Sequence, residues 1–352
     1  MPDDVSEHWL RLATFVHISD LHIGGLDPVS GDAEVSAAGA RVYGTVSWFD
    51  GLLGHHGAAL EELEALCVSL KANAEDVKVI VTGDLTRTGG YYEFNNAKQF
   101  LLGSLDLNPP NLRLTGLGLG QLDLVIPGNH DHWGDSFVAL GAGPSEYKNY
   151  FSGPMPCVHP PFQLANGREL QFVSINSDAD VSALSHNRQL ALGKFVSEFA
   201  HQAAQFSRPI QAHEIRMMLI HHSWDQAGNI LRMRTKSKDA LGAYLTANGI
   251  KGILTGHSHE ALLDFFTVQP SGTAVAELRA GSASQLDEVP PTWKSVWGTL
   301  PTRNWGANSV LVHRLYDDRS GGTHWHAQVY LRNSINGFQP MTGVGSTLLF
   351  SV

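Results

Sequence analysis

The chain has 352 residues, 43% of them hydrophobic and 16% charged, and carries a formal net charge of −10. That size and apolar content suit one large α/β domain or two small ones and argue against disorder. An acidic balance with no long basic block speaks against a nucleic-acid surface.

Two cysteines, Cys67 and Cys157, indicate neither a disulfide framework nor a thiolate metal site, and fit unpaired thiols in a reducing compartment. The segment Met1 to Arg11 is polar and acidic, and no apolar run is long enough to span a bilayer. The expectation is a cytoplasmic protein without a membrane partner.

A β-branched and aromatic run from Thr14 to Ile18 predicts a first strand that ends in Ser19-Asp20-Leu21-His22. In an extended backbone residues two apart point the same way, so Asp20 and His22 can reach one ion. Alone, such an ending is more often turn chemistry. Residues 24–57 read as a long loop insertion holding Tyr43, Trp48, Phe49, His55 and His56. Ala58 to Asn73 predicts a helix with Leu60, Leu63, Leu66, Cys67 and Leu70 on one stripe.

A second strand, Val77 to Thr82, leads into Gly83-Asp84, a loop to Gly90 and a helix from Tyr91 to Leu102. A third, Leu122 to Ile126, stops at Pro127-Gly128 and releases Asn129-His130-Asp131-His132. Phe137 to Phe151 is expected to be helical, and residues 154–161 a Pro-rich connection with Cys157 and His159. The fourth strand is Leu170 to Asn176, followed by a helix from His186 to Phe206. The fifth, Arg216 to Ile220, ends in His221-His222; after a helix from Ser237 to Asn248, the sixth, Ile250 to Thr255, ends in Gly256-His257-Ser258-His259. Beyond it, Thr273 to Ala280, Ser309 to Leu315 and Thr323 to Arg332 read as antiparallel strands. The Gln285 to Trp305 connection holds Trp293, Trp297 and Trp305.

Five strands thus end in metal-ligating or proton-moving residues. Any one is explicable as turn chemistry or a core histidine; the shared placement is not. Oxygen and imidazole donors without thiolates suit Mn, Fe, Zn or Co. The donors outnumber what one ion needs and fit two ions sharing a carboxylate, the arrangement that clamps both oxygens in phosphoryl transfer.

The ordered set Asp20-Leu21-His22, Gly83-Asp84, Gly128-Asn129-His130-Asp131, His221-His222 and Gly256-His257-Ser258-His259 resembles the calcineurin-like metallophosphoesterases. Ala280-Gly281-Ser282 is similar to the family's closing strands. The resemblance implies an α/β (α+β in some schemes) fold, a four-layer α/β/β/α sandwich of two mixed β-sheets flanked by helices. It implies a single domain over residues 1–352, with the insertion at 24–57 and a β-rich part over 265–352. It also implies two divalent or trivalent transition-metal ions: Asp20, His22 and His259 on the first, Asn129, His221 and His257 on the second, and Asp84 bridging, with a hydroxide between the ions as nucleophile. His130 corresponds to the family's non-ligand catalytic histidine.

In the protein-phosphatase branch an Asp three residues past the bridging Asp steadies that histidine. Here the position is Arg87, so His130 must be oriented otherwise, by Asp131 or a backbone carbonyl. Arg87, His132 and His222 are candidates for substrate contact, each set against a surface or packing role; His17, mid-strand, reads as a core residue. Gly83-Asp84-Leu85-Thr86 with Tyr92-Glu93-Phe94, and Leu184-Ser185 with Gln189-Leu190, resemble the branch of class III cyclic nucleotide phosphodiesterases. The expected activity is hydrolysis of a small diester, such as a cyclic nucleotide or glycerophosphodiester, with the two tryptophan-bearing loops stacking a base. A phosphomonoesterase is the alternative; a non-catalytic metal-binding scaffold is a third reading, against which the completeness of the set counts. Oligomeric state is open, a homodimer included.

Overall fold

Among the described residues, runs of β-branched and aromatic residues build two sheets of seven strands each. The computed structural model describes residues 8–24, 34–35, 41–42, 57–73, 75–103, 115–134, 147–151, 155–182, 191–225, 231–284, 308–333, 335–341 and 347–351. Most of the 24–57 insertion lies outside them, as do Trp48, His55, His56, Trp293, Trp297 and Trp305 and residues 184–190.

The first sheet grows from β1 (Leu10–Ile18). One side of β1 pairs in parallel with β4 (Val77–Thr82), which pairs in parallel with β5 (Val125–Ile126). Its other side pairs antiparallel with β13 (Ser309–Asp317), which continues to β14 (Thr323–Asn333). β14 carries β15 (Gly337–Pro340) and β16 (Thr347–Ser351). The second sheet has a parallel centre of β8 (Glu169–Ser174), β9 (Glu214–Leu219), β10 (Ile250–Thr255) and β12 (Thr273–Arg279). Antiparallel strands flank it: β11 (Leu262–Val268) beside β12, and β6 (Cys157–Val158) and β7 (Phe162–Gln163) beside β8. A separate ribbon pairs β2 (Glu34–Val35) with β3 (Arg41–Val42).

Strand parity sorts the core into three layers, because successive side chains leave opposite faces. Between the sheets lie Phe15, Ile80 and Leu311 from the first and Phe172, Met217, Leu254 and Leu278 from the second. Their neighbours Val16, Val81 and Val312 face outward onto α1 (Gly57–Ala72) and α2 (Tyr91–Leu102), through Leu60, Leu63, Phe94 and Phe100. On the far side Val173, Met218, Ile253 and Val275 meet Leu241 and Leu245 of α5 (Thr235–Asn248). Two short helices, α3 (Tyr147–Tyr150) and α4 (Val196–Ala200), complete the outer layers. The result is the expected four-layer sandwich of two mixed sheets flanked by helices. With both faces of the central strands covered, those strands read as nearly continuous apolar runs.

Two elements depart from the sequence reading. Of the helix expected over 186–206, the described part, from Ala191 onward, holds Val196–Ala200 and a 3-10 turn at Gln202–Ala204. Residues before it are tied elsewhere: Gly193 N–H donates to the Arg232 carbonyl and Gly193 O accepts from Arg234 N. The expected strand from Leu122 contracts to Val125–Ile126. Of the helix expected over 137–151, only the last turn, Tyr147–Tyr150, falls within the described residues.

Phe15 seals the interface between the sheets: it is fully buried, stacks on Trp325 at 6.1 Å and meets Phe172 edge-on at 5.7 Å. Phe15→Ala should lower unfolding stability by about 3–5 kcal/mol. Urea titration of both proteins measures this; a loss below about 1 kcal/mol would show that the sheets are not sealed there.

Candidate metal centre

The parallel strands of both sheets deliver their C-terminal ends to one edge, the position where open α/β sheets place ligands. There the chain turns sharply. Asp20, His22, Asp84, His257 and His259 all have positive φ, from 47° to 74°, and make up five of the eight such non-glycine residues described. Asp and His tolerate this region better than most residues, yet each instance still costs roughly 1–3 kcal/mol. The extended-backbone route from Asp20 to His22 is therefore corrected: the strand stops at Ile18, and two left-handed residues bring the pair together.

Backbone hydrogen bonds stitch the turns to one another. Asp20 N–H donates to the Gly83 carbonyl at 3.0 Å, His22 N–H to the Asp84 carbonyl at 3.0 Å, and Gly256 N–H to the His221 carbonyl at 2.9 Å. A methyl at Gly128 would stand 2.2 Å from Asp84 Oδ1, so only glycine lets the third strand end approach the second.

Two groups of donors result, all buried. In the first, His259 Nε2 lies 3.1 Å from Asp20 Oδ1 and 3.3 Å from His22 Nε2. In the second, His221 Nε2 lies 3.1 Å from Asn129 Oδ1, 3.1 Å from His257 Nδ1 and 3.3 Å from Asp84 Oδ2. Asp84 belongs to one set of converging donors with His22 and His130 and to another with His221 and His257.

The donors fit metal ions. Adjacent ligands of an ion bound at about 2.1 Å sit about 3.0–3.4 Å apart, the range of these five contacts. Two of them bring ring nitrogens face to face. Asp20 Oδ1 is buried with no hydrogen bond of acceptable geometry, a costly state for a carboxylate unless a cation adjoins it. Electrostatics agree. Burial opposes charge on His221, yet the Asp84 and Asp20 carboxylates raise it to about 9. Burial also works against an ionised Asp84, but His221 and His130 hold it well below the usual carboxylate range. The pocket favours positive charge between the carboxylates.

Carbonyl partners fix the ring orientations, since a carbonyl can only accept. His221 Nδ1–H donates to Thr82 O at 2.7 Å, leaving Nε2 for the centre. His130 Nδ1–H donates to Arg87 O at 2.8 Å. Of the two orienting groups considered for His130, the structure uses the backbone carbonyl. Asp131 instead accepts from the N–H groups of Leu85, Thr86 and Gly128 and from the Thr86 hydroxyl, locking two of the strand-end turns together. His130 Nε2 faces the centre, 3.9 Å from Asp84 Oδ2. Burial lowers its pKa, with Asp84 opposing.

The other candidates separate. Arg87 turns its guanidinium to Glu93, Nε to Oε1 at 3.2 Å. His132 Nε2 meets Asn176 Oδ1 at 3.3 Å on the partly exposed rim. His222 is corrected: it is fully buried, Nδ1 accepts from the Ser177 hydroxyl at 2.7 Å and Nε2–H donates to Ala191 O at 3.2 Å, leaving no nitrogen for a substrate. His17 is buried in β1, with Nε2 2.9 Å from Thr82 Oγ1.

Sequence reading missed Trp133, whose ring stacks on His130 at 3.8 Å; nothing in its spacing distinguishes it from a surface aromatic. It also left Ser282 and Ser284 without roles. Their hydroxyls donate to the Asp20 and Leu21 carbonyls at 2.7 and 2.6 Å and hold the first ligand turn. Ala280-Gly281-Ser282 was the signal that located the first of them.

The family model for calcineurin-like phosphoesterases matches residues 13–261. The chain belongs to the calcineurin-like phosphoesterase family. As a family member it is a metallophosphoesterase, a hydrolase of small phosphoesters whose family uses a dinuclear metal centre. Among solved structures it is similar to Vacuolar Protein Sorting 29 from Cryptosporidium parvum, at 12% identity over 97% of this chain and 100% of that one, with a TM-score of 0.36. GAP50, the anchor in the inner membrane complex of Plasmodium, matches at 12% identity over 97% and 89%, with a TM-score of 0.48. A conserved uncharacterized protein from Streptococcus pneumoniae, a predicted phosphoesterase, matches at 13% over 97% and 99%, with a TM-score of 0.32. A search of curated proteins returns no match.

Gly128→Ala should weaken metal retention about 10–100-fold, because its methyl displaces Asp84. Gly120→Ala, where a methyl would meet nothing within 4 Å, serves as the control. Metal content after dialysis against graded chelator measures both; equal retention would show that Gly128 is not required for the approach.

Proposed function

We propose that the chain is a dinuclear metal-dependent phosphoesterase acting on small phosphodiesters, such as a cyclic nucleotide or glycerophosphodiester. The observation that carries this reading is Asp84, a buried carboxylate shared by two sets of converging donors. In this reading Asp20, His22 and His259 would hold one ion, Asn129, His221 and His257 would hold the other, and Asp84 would serve both. Two such ions, from among Mn, Fe, Zn and Co, supply Lewis-acid stabilisation of phosphoryl oxygens and activation of water.

The protein groups do the rest. Arg87 O fixes His130 as the Nδ1–H tautomer when neutral, so Nε2 is the nitrogen that exchanges protons with the site. There it can hold a phosphoryl oxygen or deliver a proton to the leaving oxygen. The enclosing strand ends exclude water from the ligand side chains, each of which is less than a tenth exposed.

Charge supports the diester. A monoester near neutral pH carries close to two negative charges, a diester one. Among the described residues, the side chains within ion-pair distance of Asp20 and Asp84 are all histidines, and Arg87 is engaged by Glu93. The resemblance of Gly83-Asp84-Leu85-Thr86 and Tyr92-Glu93-Phe94 to the cyclic nucleotide branch supports the same choice.

Organisation as one catalytic domain and a cytoplasmic location belong to this reading. Cys67 and Cys157 are unpaired, and no helix among the described residues is long and apolar enough to cross a membrane.

Hydrolysis of bis(p-nitrophenyl) phosphate against p-nitrophenyl phosphate, with Mn supplied or removed, tests the proposal. The expected result is a higher kcat/KM for the diester, lost on chelation. His130→Ala should lower kcat by about 10²–10⁴ while retaining metal. The reverse substrate order would make the protein a monoesterase. Bound ions without turnover of either ester would make it a binding scaffold.

A further inference from the structure

Two charged residues deep in the second sheet take no part in the site described above. Glu277 and Arg279 lie two apart on β12 and are 1% and 7% exposed. They share the outer face with Val275, beneath α5, while Ala276 and Leu278 face the other sheet. Charged groups are seldom found so deep unless their partners repay desolvation. Lys238 of α5 adds a favourable charge to Glu277, and every hydrogen-bond partner of the two lies on a loop or strand end that carries a proposed metal ligand.

Glu277 Oε1 accepts from the Ser223 hydroxyl at 2.5 Å, from Trp224 N–H at 3.1 Å and from the Thr255 hydroxyl at 3.1 Å; Oε2 accepts from Asp225 N–H at 3.1 Å. Ser223, Trp224 and Asp225 are the turn that leaves His221. Thr255 ends β10, two residues before His257. Arg279 donates from Nε to the Glu260 carbonyl at 2.9 Å, one residue past His259, and from a terminal nitrogen to the Ser223 hydroxyl at 2.8 Å. The Ser223 hydroxyl joins the two charges. The three histidine ligands of the second sheet are thus held from behind by one strand that supplies no ligand.

We propose that Glu277 and Arg279 are a paired brace that sets the spacing of His221, His257 and His259, and with it the affinity of the centre for metal. The pair acts through backbone and hydroxyl groups and touches neither metal nor substrate, so both are positioning residues. Hydrogen bonds to charged groups are the stronger class, and four converge on Glu277 and two on Arg279. The outer partners of metal ligands typically change metal affinity about 10–100-fold when removed. This inference rests on the assignment of those histidines as ligands.

The test is Mn²⁺ affinity of purified full-length protein, by titration calorimetry and by metal content in graded chelator, with the thermal midpoint of the metal-free protein measured in parallel. Glu277→Ala and Arg279→Met should weaken Mn²⁺ binding by about 10–100-fold. Ser223→Ala, a small change that removes only the shared hydroxyl, should weaken it by about threefold or more and keeps the test decisive if the other variants fail to fold. The control is Glu75→Ala. Glu75, in the loop before β4, is a buried carboxylate in a comparable network with Thr14 and Arg314 of the first sheet, and these partners lie on no ligand turn. Its loss should lower the midpoint of the metal-free protein and leave Mn²⁺ affinity within about twofold. Native affinity in the folded Glu277, Arg279 and Ser223 variants would overturn the brace while leaving the metal centre standing. Absence of Mn²⁺ binding by the native protein would instead overturn the metal centre and the brace with it.

Discussion

The structure depends on a carboxylate kept ionised where burial disfavours it. Asp84 is 1% exposed, and its backbone is held at a φ of 50°. One oxygen accepts from His130 N–H at 2.8 Å, and the other faces His221 Nε2 at 3.3 Å. Neutral hydrogen bonds alone seldom offset the desolvation of such a group; cationic neighbours do. The glycines on either side of the approach, the left-handed turns and the carbonyls that orient the imidazoles all serve to place donors around this one carboxylate.

Each sheet supplies part of each donor group. The first gives Asp20, His22, Asp84 and Asn129; the second gives His221, His257 and His259. A filled centre would therefore link the two sheets at their edge, as Phe15, Phe172 and Trp325 do within the sandwich. Binding of an ion to the native state alone stabilises that state by mass action. The fold and the site are accordingly one construction: strain at the turns is sustained by inter-sheet packing, and the turns close the sandwich with polar groups that a core cannot supply.

Much of this was legible in the sequence because it rests on side-chain identity and strand burial. The apolar runs ending in Asp20, Asp84, Asn129, His221 and His257 mark strand ends that do converge. What stayed hidden depends on the backbone. No residue type announces that the Arg87 carbonyl orients His130, since every residue has a carbonyl. The positive φ of the ligand residues was also hidden, because the tolerance of Asp and His for that region does not say at which positions they adopt it. The helix expected over 186–206 misled in its described part: tertiary hydrogen bonds to the Arg232–Arg234 segment override helical propensity at Gly193. Strand β11, Leu-Leu-Asp-Phe-Phe-Thr-Val, had a readable β signal that followed too closely on the histidine motif to be separated from it.

Anomalous X-ray diffraction from crystals grown with Mn²⁺ is the most direct test of a shared Asp84. Two manganese peaks are expected, one against Asp20, His22 and His259 and the other against Asn129, His221 and His257, with an Asp84 oxygen contacting both. A single peak, or two peaks without Asp84 between them, would contradict the dinuclear centre.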